Sequence, residues 1–295
     1  MSRYCTPLRY PGGKQRLAPF ILEILQTNDL DDVRYVEPYA GGAGVAMELL
    51  LGGHVSRVYL NDSSPHIYSF WRAVLDEPEE FCRRISRASL TISEWKRHRE
   101  VVRQPDDVDL MDLGFSTFYL NRCNRSGVLS AGVIGGLQQR GRWRIDARFP
   151  RNELIRRVEA IADYRDAILP SNQDAEAFMR GKLRQLSESR TLVYCDPPYF
   201  ERSQRLYPHS YDRADHERLA ETIQTEVEHH WLVSYDGTPE LMALYEARQM
   251  FVYSLQYSAT RAYKGDEVFI FSDSLAIPSS SSHSSVNKGL LAAFG

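Results

Sequence analysis

The chain has 295 residues, 43% of them hydrophobic, long enough for a catalytic domain of about 200 residues plus an insertion. Its formal net charge of −3 does not announce a nucleic-acid binder, and no apolar run reaches the length of a membrane span. With no signal peptide before Arg9, and with cysteines at 5, 82, 123 and 195 that lack C-x-x-C spacing, the expectation is a soluble cytoplasmic protein with no membrane contact, no disulfide framework and no metal.

The first element in chain order is Arg9-Tyr10-Pro11-Gly12-Gly13-Lys14, ahead of a helix from Gln15 to Leu25. Its glycines make a tight turn that can bring Tyr10 and Lys14 against a ligand, although by itself it is equally a simple N-terminal turn. Tyr35-Val36 then leads into Glu37-Pro38-Tyr39-Ala40-Gly41-Gly42-Ala43-Gly44 and a helical apolar pattern from Val45 to Leu51. This is strand, glycine-rich turn and helix, a place where a cofactor can approach the backbone closely, but the spacing is not the dinucleotide fingerprint. A second strand, Arg57 to Leu60, ends at Asn61-Asp62. Asp62 falls about 20 positions beyond the glycine loop, where such α/β units bind ribose hydroxyls. It also precedes the helix Pro65 to Leu75, so a helix-capping role competes with the cofactor role.

The middle of the chain is basic. Nine arginines between Phe115 and Ala160 face only Asp146, Glu153 and Glu159, a local balance of +6. Such a patch inside a near-neutral chain points to a polyanion, against the alternative of a solvated arginine-rich helix face. Phe115 to Asn124 reads as helix, and Val133 to Phe149 reads as a hairpin around Gln139-Arg140-Gly141-Arg142, with Trp143 and Ile145 alternating with Arg142 and Arg144. A two-stranded ribbon fits the major groove, where arginine reads guanine, and Gln138 or Gln139 can read adenine.

After a strand from Ala167 to Leu169, the apolar run Leu192 to Cys195 ends at Asp196-Pro197-Pro198-Tyr199. These four residues suit methyl transfer to an amino nitrogen. An exocyclic amine is a poor nucleophile because its lone pair is delocalised into the ring; a carboxylate such as Asp196 accepting one N–H and the Pro197 carbonyl accepting the other would localise it. Two prolines hold these acceptors rigid, and Tyr199 offers a flat face to a base swung out of the stack. The competing reading is an ordinary turn that ends a core strand. Beyond it lie a polar segment from Glu201 to Tyr211 with Arg202 and Arg205, a helix Asp215 to Val227, a strand Trp231 to Tyr235, and two strands between Phe251 and Ser272 around Arg261-Ala262-Tyr263-Lys264-Gly265. A serine-rich tail reads as disordered.

Taken together, these motifs resemble the Dam-type family of DNA adenine-N6 methyltransferases. The shared order is an aromatic-x-G-G-K start, an E-P-x-x-G-x-G-type loop, an N-D pair, a recognition insert and D-P-P-Y, and it runs from about Arg9 to Ser272. The resemblance implies S-adenosylmethionine as cofactor, contacted by Tyr10, Lys14, Asp62 and Asp196. It places Glu37 and the loop Tyr39 to Gly44, with Gly41, around the methionine end, and Asp174 at the cofactor's adenine edge. Asp196, Pro197 and Tyr199 become the catalytic set, and Arg122, Arg125, Arg140, Arg142 and Arg144 the DNA-binding set. Where members that methylate GATC carry one stretch after the shared N-R, this chain has Cys123-Asn124-Arg125-Ser126-Gly127, so the resemblance does not fix the target sequence.

The fold expected is α/β: a class I methyltransferase (Rossmann-like), mostly parallel sheet with an inserted helical and hairpin DNA-recognition subdomain. The S-adenosylmethionine-binding catalytic domain would comprise 1–75 and 163–277, the insert 76–162, and a disordered tail 278–295. The expected reaction is methylation of adenine N6 at a specific site in double-stranded DNA, in a solitary enzyme or one partnered with a restriction endonuclease. Methylation of RNA adenine or of cytosine N4, or a non-catalytic nucleic-acid-binding module of the same fold, are the alternatives.

Overall fold

The computed structural model describes residues 5–9, 14–199, 211–257 and 263–278, giving only the backbone for 253–257 and 263–266. Tyr10, the segment 200–210 with Arg202 and Arg205, Arg261 and the serine-rich tail lie outside the described residues. Seven strands form one sheet: β1 (Arg34–Glu37), β2 (Arg57–Asn61), β3 (Ile168–Ser171), β4 (Thr191–Cys195), β5 (His230–Asp236), β6 (Gln249–Tyr257) and β7 (Tyr263–Phe271), in the order β3-β2-β1-β4-β5-β7-β6. The first five are parallel, and β7 runs antiparallel to both β5 and β6. The mostly parallel sheet expected is therefore present.

The sequence makes this sheet because its central strands are apolar on both faces. All five residues of β4 are buried, and β1 and β5 are each buried at every position but the first. Strands covered on both sides belong to a parallel sheet flanked by helices. The helices are α1 (Ala18–Thr27), α2 (Gly44–Leu51), α3 (Pro65–Asp76), α4 (Pro78–Arg87), α5 (Ile92–Arg103), α6 (Leu110–Cys123), α7 (Arg151–Ala162), α8 (Ala175–Arg180), α9 (Arg213–Glu226) and α10 (Pro239–Leu244). One buried cluster joins α1, α2 and the sheet to α3, α4, α6 and α7, so the inserted helices share a core with the catalytic sheet. A second cluster fills the opposite face between the sheet and α8, α9 and α10.

Helix α6 is the post around which the insert is built. From Met111 onward all but one of its residues are buried, and Phe115 and Phe118 pack with Phe70, Phe81 and Phe149. A helix apolar on every side requires neighbours all round. Its buried polar residues bind backbone: Asn121 accepts from the Arg9 amide (2.7 Å) and donates to the Arg9 and Gly127 carbonyls (2.7 and 2.9 Å). The N-terminal segment that leads to Lys14 is thereby bolted to the insert.

The segment expected to be a hairpin, 133–149, is instead a run of turns whose only ladder pairing is a bridge between Val133 and Asn124. Gly135 and Gly136 have φ of +85° and +73°, and Gln139 has φ +51°, a left-handed conformation incompatible with an extended strand. The Gln139 side chain staples the turn, donating to the Ile134 and Gly136 carbonyls (2.8 and 2.7 Å) and accepting from the Ile145 amide (2.9 Å). It is therefore occupied inside the segment rather than presented as a reader of bases.

Close packing of α3 on α6 depends on Gly114, where a Cβ would collide with the Ser69 carbonyl and lie 2.9 Å from Ala73 Cβ. Gly114→Ala is expected to lower stability by about 1–3 kcal/mol despite alanine's better helix propensity, as overpacking does. Urea denaturation checks this; a variant as stable as the parent would show that the two helices separate freely.

Candidate functional site

Ligands of open α/β sheets bind outside the carboxyl ends of the strands, where the order reverses. Here that point lies between β1 and β4, and the strands end there in Glu37 and in Cys195-Asp196, with Asn61-Asp62 beside them on β2. The glycine loop is fixed from three sides. Asp62 Oδ2 accepts from the Gly41 amide (2.9 Å), the Trp71 indole donates to the Gly41 carbonyl (3.1 Å), and the Ala40 amide donates to the Asn61 carbonyl (2.8 Å). Gly44 opens α2 in close contact with the segment from Lys14, since a Cβ there would sit 2.9 Å from Gln15 Cβ.

Asp62 combines both roles between which the sequence left a choice open. Its Oδ1 accepts from the Ser64 amide (2.9 Å) just before α3, while Oδ2 holds the glycine loop. Asn61 is wholly buried and uses all four of its side-chain positions. It donates to the Pro38 and Gln173 carbonyls (3.1 and 3.0 Å) and accepts from Ser171 Oγ and the Gln173 amide (2.9 and 3.1 Å). The loops after β1, β2 and β3 are thus joined through one amide. Asp174, on the third of these loops, is exposed and caps α8 by accepting from the Ala177 amide (3.0 Å). Tyr39, which follows β1, shares a hydroxyl–hydroxyl hydrogen bond of 2.9 Å with Tyr211.

At the end of β4 a charged cluster forms around Lys14. Its ammonium lies 3.1 Å from Asp196 Oδ1 and 3.1 Å from Glu267 Oε2, with side-chain exposures of 15% for Lys14, 26% for Asp196 and 4% for Glu267. Ser234 Oγ donates to Asp196 Oδ1 (2.9 Å) and shares a hydrogen bond with the Tyr194 hydroxyl (2.8 Å). The Tyr199 hydroxyl donates to Glu267 Oε1 (3.0 Å), and Lys14 Nζ lies 5.4 Å from the centre of the Tyr199 ring. Asp196 Oδ1 is therefore saturated, whereas no described residue hydrogen-bonds Oδ2. Glu267 and Ser234 carry no signal in the sequence: both sit inside strands, one on β7 and one on β5, with no motif to mark them.

The electrostatics follow from burial. Burial opposes the charged form of Lys14, but Asp196 and Glu267 together hold its ammonium well above the usual lysine range. Burial pushes the Glu37 carboxyl up to about 8, against the stabilising hydrogen bond from the Ala46 amide, and Asp62 up to about 6, against those from Ser64 and Gly41. Burial also raises Asp196, which Lys14 lowers and Glu267 raises.

The basic residues fall into two groups. Arg122, expected on the nucleic-acid surface, is instead buried, 6% exposed, and donates from Nε to the Arg148 carbonyl (2.6 Å) and from Nη1 to the Pro7 carbonyl (3.4 Å); burial lowers its pKa to about 9. Arg125, Arg140, Arg142 and Arg144 are exposed, with Arg142 stacked on the exposed Trp143. A cavity of about 560 Å³ lies beside this surface, lined among others by Trp95, Lys96, Arg99, Arg125, Gly132 and Leu137. On the same helix α5, Arg97 and Arg103 are paired with Glu94 and Glu100. Lys96, Arg99 and Arg125 have no carboxylate partner among the described residues, and the one acidic lining residue, Glu100, is paired with Arg103, so the balance of the cavity is positive.

The family model of the D12 class N6 adenine-specific DNA methyltransferases matches residues 10–260. The chain belongs to this family. It is an adenine-specific DNA methyltransferase, and the matched span contains both the glycine loop and Asp196-Pro197-Pro198-Tyr199. Two DNA adenine methylases of Vibrio cholerae serotype O1, from an Ogawa and an El Tor Inaba strain, are each 25% identical over 267 residues, covering 86% of this chain and 89% of their own. Two structures of an rRNA methyltransferase, aviRa from Streptomyces viridochromogenes, overlap 89% of this chain and 86% of their own at 12% identity, with TM-scores of 0.38 and 0.40. Among the described residues no group of three or more metal-ligating side chains is found, and no helix is long and apolar enough to cross a membrane.

The raised carboxyl of Glu37 gives a stability signature for the methyltransferase. In the unfolded chain this group ionises at its ordinary 4.5, but in the fold it keeps its proton to about 8, so the folded state binds the extra proton and loses stability as pH rises through that window. His98, His216, His229 and His230 act oppositely, because burial lowers all four, and their effect is complete once pH exceeds the unfolded histidine value of 6.5. The melting temperature without ligand is therefore expected to fall between about pH 7 and 8, where Glu37→Gln should flatten it; above that window the four cysteines, all raised by burial, add a fall of their own that the variant keeps. A parent whose melting temperature is flat across that window would contradict the buried, protonated Glu37.

Proposed function

We propose that this methyltransferase moves the methyl group of S-adenosylmethionine to N6 of an adenine swung out of duplex DNA, with Asp196 and Tyr199 at the reacting base and Lys14, Glu37, the loop from Tyr39 through Gly41 to Gly44, and Asp62 around the cofactor. The observation that carries the reading is the state of Asp196. One oxygen is anchored by Lys14 and Ser234, and the other takes no hydrogen bond from a described residue. That leaves a fixed acceptor for an amine N–H, pre-organised before the substrate arrives.

The donor set suits the cofactor. Glu37, Asp62 and Asp196 stand at the ends of adjacent strands, and burial raises the carboxyl pKa of all three, so a cation bound here would favour their ionised forms. S-adenosylmethionine held by these residues would bring such a cation, its sulfonium, and would supply the methyl group that the amine takes up. Asp62 presents oxygens where ribose hydroxyls bind in such units. Asp174 follows β3 at the edge suited to the cofactor's adenine, and Tyr10 stands shortly before Lys14 in the sequence.

Asp196 Oδ2 and the Pro197 carbonyl accept the two amine hydrogens, drawing the lone pair out of the adenine ring. The Tyr199 ring supports the base by stacking. The methylated nitrogen sheds one proton, for which Asp196 is the nearest anionic acceptor. No covalent bond between chain and base is needed, because positioning and charge localisation are what the residues provide.

Residues 76–162 form the DNA-recognition insert in this reading. Arg140, Arg142 and Arg144 line its exposed turn segment, and Lys96, Arg99 and Arg125 line the cavity beside it. Unpaired cations next to an exposed tryptophan suit a phosphate backbone and unstacked bases.

Asp196→Ala is expected to abolish methyl transfer while the protein still folds; a purified variant methylating DNA at the parental rate would refute the catalytic assignment. Replacing Lys96 and Arg99 together by alanine should weaken DNA binding and reduce the slope of log affinity against log salt by about 0.9 for each phosphate no longer neutralised. Fluorescence anisotropy over a salt series measures it, and an unchanged slope would move the footprint away from α5.

A further inference from the structure

We propose that Glu267 is a positioning residue for methyl transfer, fixing the Tyr199 hydroxyl and sharing the Lys14 ammonium so that the lysine orients Asp196 without cancelling its attraction for the adenine amine. The inference rests on the reading of Asp196 as amine acceptor given above.

Glu267 sits on β7, in register with Asp236 of β5, and is 3% exposed. Its two oxygens reach two different functional groups. Oε1 accepts from the Tyr199 hydroxyl (3.0 Å), and Oε2 lies 3.1 Å from Lys14 Nζ. A buried carboxylate is costly unless paired, and a paired one is seldom stabilising compared with an apolar side chain of similar volume, so its place beside the reacting end of the sheet calls for a reason.

Charge supplies that reason. Lys14 stands at the same distance, 3.1 Å, from Asp196 Oδ1 and Glu267 Oε2. An ammonium shared with Glu267 neutralises Asp196 less than one paired with Asp196 alone, so Lys14 orients the acceptor without cancelling its attraction for the amine hydrogens. The same residue anchors the Tyr199 hydroxyl, and Lys14 Nζ lies 5.4 Å from the centre of that ring. Among the described residues, besides Lys14 and Glu267, Asp196 interacts with the titratable groups Glu37 and Tyr35 from β1 and Tyr194 and Cys195 from β4, none of which changes in the variants below.

The test is single-turnover methylation of unmethylated duplex DNA with labelled S-adenosylmethionine over a pH series, using the full chain. Glu267→Gln keeps the shape and removes the charge. It is expected to slow transfer by about tenfold or more while leaving the dissociation constants for DNA and cofactor within about threefold. It should also move the acid limb of the rate profile to lower pH, because a negative neighbour that raised Asp196 is gone. Glu267→Asp should return the limb toward its original position. Tyr199→Phe cuts the same hydrogen bond from the exposed end; it should slow transfer too, and the double variant should be no slower than Glu267→Gln alone.

A folded Glu267→Gln with parental rate and an unmoved limb would overturn the inference. Should that variant not fold, a parental rate in Tyr199→Phe would overturn it equally. An inactive parent in the same assay would instead refute the underlying reading of Asp196, and the inference with it.

Discussion

A buried ammonium between two carboxylates is the interaction on which this site depends. Lys14 comes from the N-terminal segment, Asp196 from the end of β4 and Glu267 from β7, so a single cation draws together three parts of the chain that are far apart in sequence. A charge so enclosed is tolerable only while both partners remain in place. The consequence is an acceptor oxygen with a fixed direction, and a tyrosine whose hydroxyl is held by the same carboxylate that holds the lysine. Catalysis by positioning and charge localisation requires this kind of rigidity before substrate binds.

Two buried asparagines extend that rigidity outward. Asn61 ties the loops after β1, β2 and β3 into one surface, which is where the cofactor residues lie. Asn121 ties the segment around Arg9 to α6 and to the loop at Gly127. The loop that follows α6 and carries Arg125 is consequently hydrogen-bonded into the same frame as the segment at Arg9.

Much of this was legible in the sequence, for reasons that can be named. The strands β1, β2, β4 and β5 are short apolar runs ended by Glu37, Asn61-Asp62, Asp196 and Asp236, and a glycine loop between strand and helix has few other uses. The insert was harder. Alternation from Arg142 to Ile145 looks like a strand, but Gly135, Gly136 and Gln139 adopt left-handed φ values that turn the chain back on itself, and pairing of that kind is set by tertiary packing. Arg122 carries the same side chain as the exposed arginines, and only its place on an all-buried helix turns it toward carbonyl groups. Glu267 was invisible because a glutamate in a strand has no motif; its role comes from Lys14, which is 253 residues away in sequence.

The most direct test of the account is to incubate the purified chain with labelled S-adenosylmethionine and unmethylated genomic DNA, with RNA in parallel, then digest each to nucleosides and identify the labelled one. The account predicts label in N6-methyl-deoxyadenosine from the DNA. Label confined to RNA or to N4-methylcytosine, or no label at all, would contradict it.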